Sequence, residues 1–67
     1  MVITPTAYDR PGLFDTVWRF HGEDEQGRRV TFGVDHRIAR ELASYLDHGE
    51  DLPAVWVEAW QVLSTAQ

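Results

Sequence analysis

The chain has 67 residues, a formal net charge of -5 and no cysteine. A domain of this size buries only about 60% of the surface of its unfolded chain, so it usually needs a disulfide, a metal or oligomerisation. The absence of cysteine excludes disulfides and thiolate metal sites, which leaves oligomerisation open. The negative charge disfavours duplex nucleic acid as a ligand, because contacts with the phosphate backbone need cations.

The sequence shows no sign of a membrane or of export. It has no apolar run of about 18 residues, the length needed to cross a bilayer. The segment Met1–Pro5 lacks both the basic start and the long apolar stretch of a signal peptide. We therefore expect no membrane association and a cytoplasmic location.

Residues 1–12 contain Pro5 and Pro11, which limit the length of any strand because proline cannot donate to a sheet ladder. We expect this segment to form an arm or a short edge strand. Residues 13–67 are expected to form the single folded domain.

Residues 13–21 and 28–34 alternate between apolar and polar side chains, which is typical of strands. Gly27 suits the left-handed position that closes a three-residue hairpin loop. That loop places both apolar sets on the same side of the sheet, which a shift of one residue would reverse. The predicted facing pairs are Asp24–Arg28, Glu23–Arg29, Gly22–Val30, Phe20–Phe32 and Trp18–Val34.

Residues 36–48 predict a helix. Asp35 is a favourable N-cap, and Gly49 provides a stop at the other end. An apolar stripe follows the helical period, at Ile38, Leu42, Tyr45 and Leu46.

Residues 54–63 are ambiguous, because their apolar side chains fit both a helical stripe and a strand. Valine and tryptophan favour the extended form, so we predict a strand. The compact side chains are expected to face the helix, at Val55, Val57, Ala59 and Leu63. The opposite side would then carry Trp56, Glu58, Trp60 and Val62.

Together, these segments predict an α+β domain of (β)ββαβ order. We expect a mostly antiparallel sheet of three or four strands with one helix packed on one face. The residues expected under the helix are Phe14, Trp18, Phe20, Val30, Phe32 and Val34. The same element order occurs in many unrelated small proteins, so it indicates no function.

The leading functional hypothesis is a partner-binding sheet face. Exposed apolar patches mark interfaces, and tryptophan is enriched among residues that dominate binding energy. We expect a small non-enzymatic protein that binds a protein partner or itself, as a homodimer. The residues expected to bind are Val17, Arg19, Trp56, Glu58, Trp60 and Val62. The opposing interpretation places the two tryptophan rings in the core.

Two alternative hypotheses use charged residues. An acidic surface would dock on a basic surface of a nucleic-acid enzyme, through Glu23, Asp24, Glu25, Asp47, Glu50 and Asp51. A sheet face with arginine and tryptophan would stack single-stranded bases, through Arg19, Arg29, Trp56 and Trp60. Charge runs usually serve only solubility, and the net charge disfavours nucleic acid, so both rank below the first hypothesis.

The sequence predicts no catalytic residue, metal or cofactor. His21, His36 and His48 include no local ligand pair, and helix positions about 12 residues apart lie about 18 Å from each other. Neighbouring acid and histidine residues on a helix point in different directions, so they form no catalytic dyad.

Overall fold

The computed structural model describes residues 1–50, 52 and 54–66. It shows an α+β domain with one helix on a five-stranded antiparallel sheet, which confirms the predicted fold class. The elements are β1 (Val2–Asp9), β2 (Trp18–Asp24), β3 (Arg29–Val34), α1 (His36–Asp47), β4 (Val55–Trp56), a 3₁₀ turn (Ala59–Gln61) and β5 (Val62–Ala66). The strand order is β4-β1-β2-β3-β5. No helix in the described ranges has the length and apolar character needed to cross a membrane.

The β2–β3 hairpin has the register that the sequence predicts. Phe20 faces Phe32, and Trp18 faces Val34. Gly27 adopts a φ of 78°, the left-handed conformation that the loop requires. The bulky apolar side chains of both strands therefore enter the core together.

Asp24 closes the hairpin loop. Its carboxylate accepts hydrogen bonds from the backbone N–H groups of Gln26 and Arg28, both at 2.9 Å, and from Arg28 Nε at 2.8 Å. The hydrogen bond from the Arg28 backbone N–H is the largest influence on the pKa of Asp24, and the net effect lowers that pKa despite partial desolvation.

Replacing Asp24 with asparagine should lower the melting temperature at neutral pH, because a neutral amide accepts these hydrogen bonds more weakly. Ionised Asp24 stabilises the fold at pH values above its unfolded-state pKa, and this stabilisation is lost as the pH falls through the lower native pKa. The melting temperatures of the two proteins should therefore converge in acid. Thermal unfolding followed by circular dichroism over a pH series measures this, and a constant difference at every pH would contradict it.

β1 corrects the expectation for the N-terminal segment, which is an eight-residue strand and not an arm. It pairs with β2 from Ile3 to Asp9, and on its other side only Val2 and Ile3 pair with β4. The ladder with β2 shifts register between Pro5 and Ala7, as at a β-bulge, and bulges accommodate proline within a sheet. Ile3 on this strand is completely buried, so β1 belongs to the domain.

β2 begins later than the sequence predicts, at Trp18, and the preceding residues form a loop. The Asp15 N–H donates to the Gly12 C=O at 3.2 Å, and the Asp15 carboxylate accepts from the Val17 N–H at 3.0 Å. These local bonds compete with a strand ladder. Phe14, expected under the helix, is instead fully exposed.

α1 packs on one face of the sheet and is one residue shorter than expected. The Asp35 side chain caps it by accepting from the Ile38 N–H at 3.1 Å, and Gly49 follows its end with a φ of 67°. Ala39 and Ala43 are the buried residues of the helix, and Leu42 and Leu46 pack against the core while partly exposed. The complete buried cluster is Ile3, Trp18, Phe20, Val30, Phe32, Val34, Ala39, Ala43 and Val57.

The C-terminal segment corrects the prediction of a single strand over 54–63. β4 pairs with β1 and β5 pairs with β3, so the two strands lie at opposite edges of the sheet. The edges of a flat five-stranded sheet would lie about 19 Å apart. The link over residues 57–61 includes a 3₁₀ turn, which advances only about 2 Å per residue. The sheet must therefore curl so that its edges approach each other, and Val57 in the link is buried in the core.

The 3₁₀ turn also breaks the alternation of side chains that the sequence prediction assumed. Ala59 and Leu63 were expected to face the helix but are exposed, whereas Val62 was expected outside and packs against the core. Val57 is buried, and Trp56 and Trp60 are exposed, on the sides expected for them.

Gly22 lies where β1 and β2 approach closely. A Cβ at this position would overlap the Thr4 carbonyl oxygen and lie 2.9 Å from Ile3 Cγ2. Gly22→Ala should therefore destabilise the fold by about 1–3 kcal/mol, as overpacking does. Gly12→Ala is the matched control, because a Cβ there meets no heavy atom within 4 Å. Urea denaturation compares the two, and equal losses of stability would refute the steric explanation.

Candidate functional site

An apolar cleft of about 340 Å³ lies at the edge of the sheet where β5 begins. Its large apolar side chains are Val17, Trp60 and Leu63, which are 42%, 81% and 52% exposed. The remaining lining residues are Thr16, Gly33, Val34, Asp35 and Gln61. We call this feature the Trp60 cleft.

Gly33 gives the Trp60 cleft its floor. A Cβ on Gly33 would lie 2.8 Å from Val17 Cγ1 and 3.8 Å from Leu63 Cδ1. The missing side chain therefore lets Val17 and Leu63 approach each other across β3, which joins them into one apolar surface.

The 3₁₀ turn fixes the backbone that carries Trp60. Gln61 Oε1 accepts from the Glu58 N–H at 2.9 Å, and Gln61 Nε2 donates to the Gly33 C=O at 3.2 Å. The turn is thus attached to β3 while the indole faces solvent. A ring on a fixed backbone loses less conformational entropy on binding than a ring on a mobile loop.

The loop before β2 presents Leu13 and Phe14, which are 97% and 101% exposed. They occupy the two central positions of the turn that Asp15 closes. Asp15 also pairs with Arg19 at 3.6 Å, at the base of the loop. We call these two side chains the Leu13–Phe14 knob. The knob is close to the Trp60 cleft in sequence, because Val17, which lines the cleft, follows Phe14 by three residues.

The residues expected to bind a partner do not form one surface. Val17 and Trp60 line the Trp60 cleft, whereas Trp56 lies at the opposite sheet edge beside the β2–β3 loop. Glu58 accepts from Trp56 Nε1 at 3.0 Å, and Arg19 pairs with Asp15.

The acidic residues also divide. Glu23, Asp24 and Glu25 lie at the hairpin loop, and Asp47 and Glu50 lie at the end of α1. Both Asp47 carboxylate oxygens accept from the Tyr8 hydroxyl, at 2.7 and 2.9 Å. The two acidic groups are therefore far apart. Tyr8, which bonds to Asp47, faces Phe20, and Phe20 lies about 13 Å along β2 from Asp24. Asp51 lies outside the described residues.

The residues of the single-strand hypothesis are dispersed as well. Arg29, Trp56 and Trp60 line three different depressions of the surface. Arg19 forms an ion pair with Asp15 at 3.6 Å. No continuous platform of arginine and tryptophan is present among these described residues.

A relay of polar side chains on the open sheet face was not predicted. His21 Nε2 lies 2.8 Å from Asp9 Oδ2, and His21 Nδ1 lies 2.9 Å from Thr31 Oγ1. In the neutral tautomer that donates Nε2–H to Asp9, Nδ1 accepts from the Thr31 hydroxyl. The relay joins β1, β2 and β3. The predicted register already placed His21 opposite Thr31, but Asp9 was missed because β1 was expected to be an arm.

Among the residues that the structure describes, no group of three or more histidine, aspartate or glutamate side chains is arranged to hold a metal ion. No protein-family model, curated protein or solved structure matches the chain. The geometry of the surface is therefore the basis for a functional proposal.

Trp60→Ala should change the stability of the isolated chain by less than about 0.5 kcal/mol, because the ring is exposed. Phe20→Ala should cost about 3–5 kcal/mol, because that ring is completely buried. Chemical denaturation of dilute protein measures both changes. Unfolding caused by Trp60→Ala would show that the ring is a core residue and would remove the cleft as a binding surface.

Proposed function

We propose that the protein is a small non-enzymatic interaction module that self-associates as a two-fold dimer. The Leu13–Phe14 knob of each copy enters the Trp60 cleft of the other. The observation that carries the proposal is the presence of two consecutive, fully exposed apolar side chains beside an exposed apolar cleft.

A second copy fits the cleft because the chain carries both complementary shapes. The knob protrudes from an anchored turn, and the cleft of about 340 Å³ has room for an aromatic ring. If a two-fold axis passes between the knob and the cleft, each copy inserts its knob into the cleft of the other within one interface. Such a closed pairing needs no further copies, unlike a head-to-tail contact.

Electrostatics supports contact between two copies despite the net charge of -5. Among the described residues, Asp35 is the only ionisable side chain that lines the Trp60 cleft. The carboxylate at the base of the knob, Asp15, is paired with Arg19. Apolar contact at this place would also enlarge the core that a short chain can build.

Phe14→Ser and Trp60→Ala should each weaken the dimer by about 2 kcal/mol or more, the range of hot-spot residues. Trp56→Ala is the matched control, because Trp56 is 67% exposed and lines a different depression, beside the β2–β3 loop. Sedimentation equilibrium of the three variants and the parent protein measures the dissociation constants.

Three results would contradict the proposal. A parent protein that stays monomeric up to high micromolar concentration has no such dimer. Equal weakening by Trp56→Ala and Trp60→Ala would place the interface elsewhere. A dimer unaffected by Phe14→Ser would exclude the knob.

The acidic-docking and single-strand hypotheses rank below the dimer, because those of their residues that the structure describes are dispersed over separate parts of the surface. The cytoplasmic location stays a prediction, which fractionation of native cells would test.

A further inference from the structure

A groove beside α1 is lined by two arginines, Arg10 and Arg40, in a protein that is acidic as a whole. Its volume is about 350 Å³, and it lies between the end of β1 and the flank of α1. Its charged or titratable residues are Arg10, His36, Arg40, Asp47 and His48, and Trp18, Ala43 and Ser44 complete it. It shares no lining residue with the Trp60 cleft.

The two arginines of the groove are not neutralised by ion pairs. Neither Arg10 nor Arg40 has a carboxylate partner among the described residues. Arg10 instead lies over the ring of Trp18, with its guanidinium carbon 5.8 Å from the ring centroid. The one carboxylate in the groove, on Asp47, accepts from the Tyr8 hydroxyl.

Hydrogen bonds determine which histidine nitrogens are donors. His36 Nδ1 accepts from Trp18 Nε1 at 3.1 Å, so the proton of the neutral His36 ring is on Nε2. His48 Nδ1 lies 2.7 Å from the Ser44 carbonyl oxygen, which can only accept, so Nδ1 carries the proton of His48. His36 Nε2 is therefore a donor with no partner among the described residues.

The donors come from two parts of the chain that line the same groove. His36, Arg40 and Ser44 follow one another at intervals of four residues on one side of α1. Arg10 follows the end of β1. Two guanidinium groups with an additional N–H donor suit the oxygens of a tetrahedral oxyanion, which arginine binds through paired hydrogen bonds.

We propose that this groove binds a phosphate-bearing small molecule. The phosphoryl group lies between the guanidinium groups of Arg10 and Arg40, and His36 Nε2 donates a further hydrogen bond. This site is independent of the proposed dimer, because it uses none of the knob or cleft residues.

Nuclear magnetic resonance titration with inorganic phosphate at constant ionic strength tests the site. The indole N–H signal of Trp18 should shift saturably, because this group bonds to His36 in the groove. Arg40→Gln should weaken phosphate binding at least tenfold, equal to about 1.4 kcal/mol. Arg37→Gln is the matched control, because it removes the same charge from the same helix outside the groove.

Acetate should bind more weakly than phosphate, because it presents only two oxygens to the donors. A shift that fails to saturate would overturn the proposal. Equal weakening by Arg37→Gln and Arg40→Gln would show that the effect comes from overall charge, which contradicts a site in the groove. Equal affinity for acetate and phosphate would show that the groove does not select a phosphoryl group. A signal from Trp18 that stays fixed while other signals move would place the anion elsewhere.

Discussion

The register of the β2–β3 hairpin is the constraint on which the rest of the structure depends. Gly27 and the Asp24 carboxylate fix the loop, and the loop fixes which residue of β2 faces which residue of β3. Side chains alternate along a strand, so this single choice sends Phe20 and Phe32 into the core. The same register places Gly33, the floor of the Trp60 cleft, and His21 on the opposite face of the sheet. A shift of one position would expose the aromatic core and bury charged side chains.

Local rules were sufficient for the hairpin register and the helix. They failed at the start of β2, where the turn closed by Asp15 replaces predicted strand residues, and where distant segments meet. The turn chemistry of Gly27 and the cap at Asp35 can be read from a few neighbouring residues. The interior position of β1 depends on pairing with β4, more than fifty residues later in the chain, and on a bulge that accommodates Pro5. A strand that is paired on both sides cannot be distinguished from an arm by its own composition.

The candidate sites show the same limit. Val17 and Trp60 were among the predicted binding residues, but Leu63 was assigned to the core because the 3₁₀ turn changes the alternation before β5. Trp56 and Trp60 are close in sequence, and only the strand order reveals that they lie at opposite edges. The arginines of the groove beside α1 gave no signal in the sequence. Arg10 and Arg40 line one groove only because the fold brings the residue after β1 next to α1.

The burial of Val57 has a consequence for how the chain acquires its structure. This residue packs into a core that also contains Ile3, so the hydrophobic interior requires residues that are far apart in the chain. Contacts of such long sequence separation slow folding, because a large loop must close before they form. The hairpin and the helix can form early during folding, but the interior stays open until Val57 joins the cluster that contains Ile3. The partly folded chain therefore exposes apolar surface during that interval.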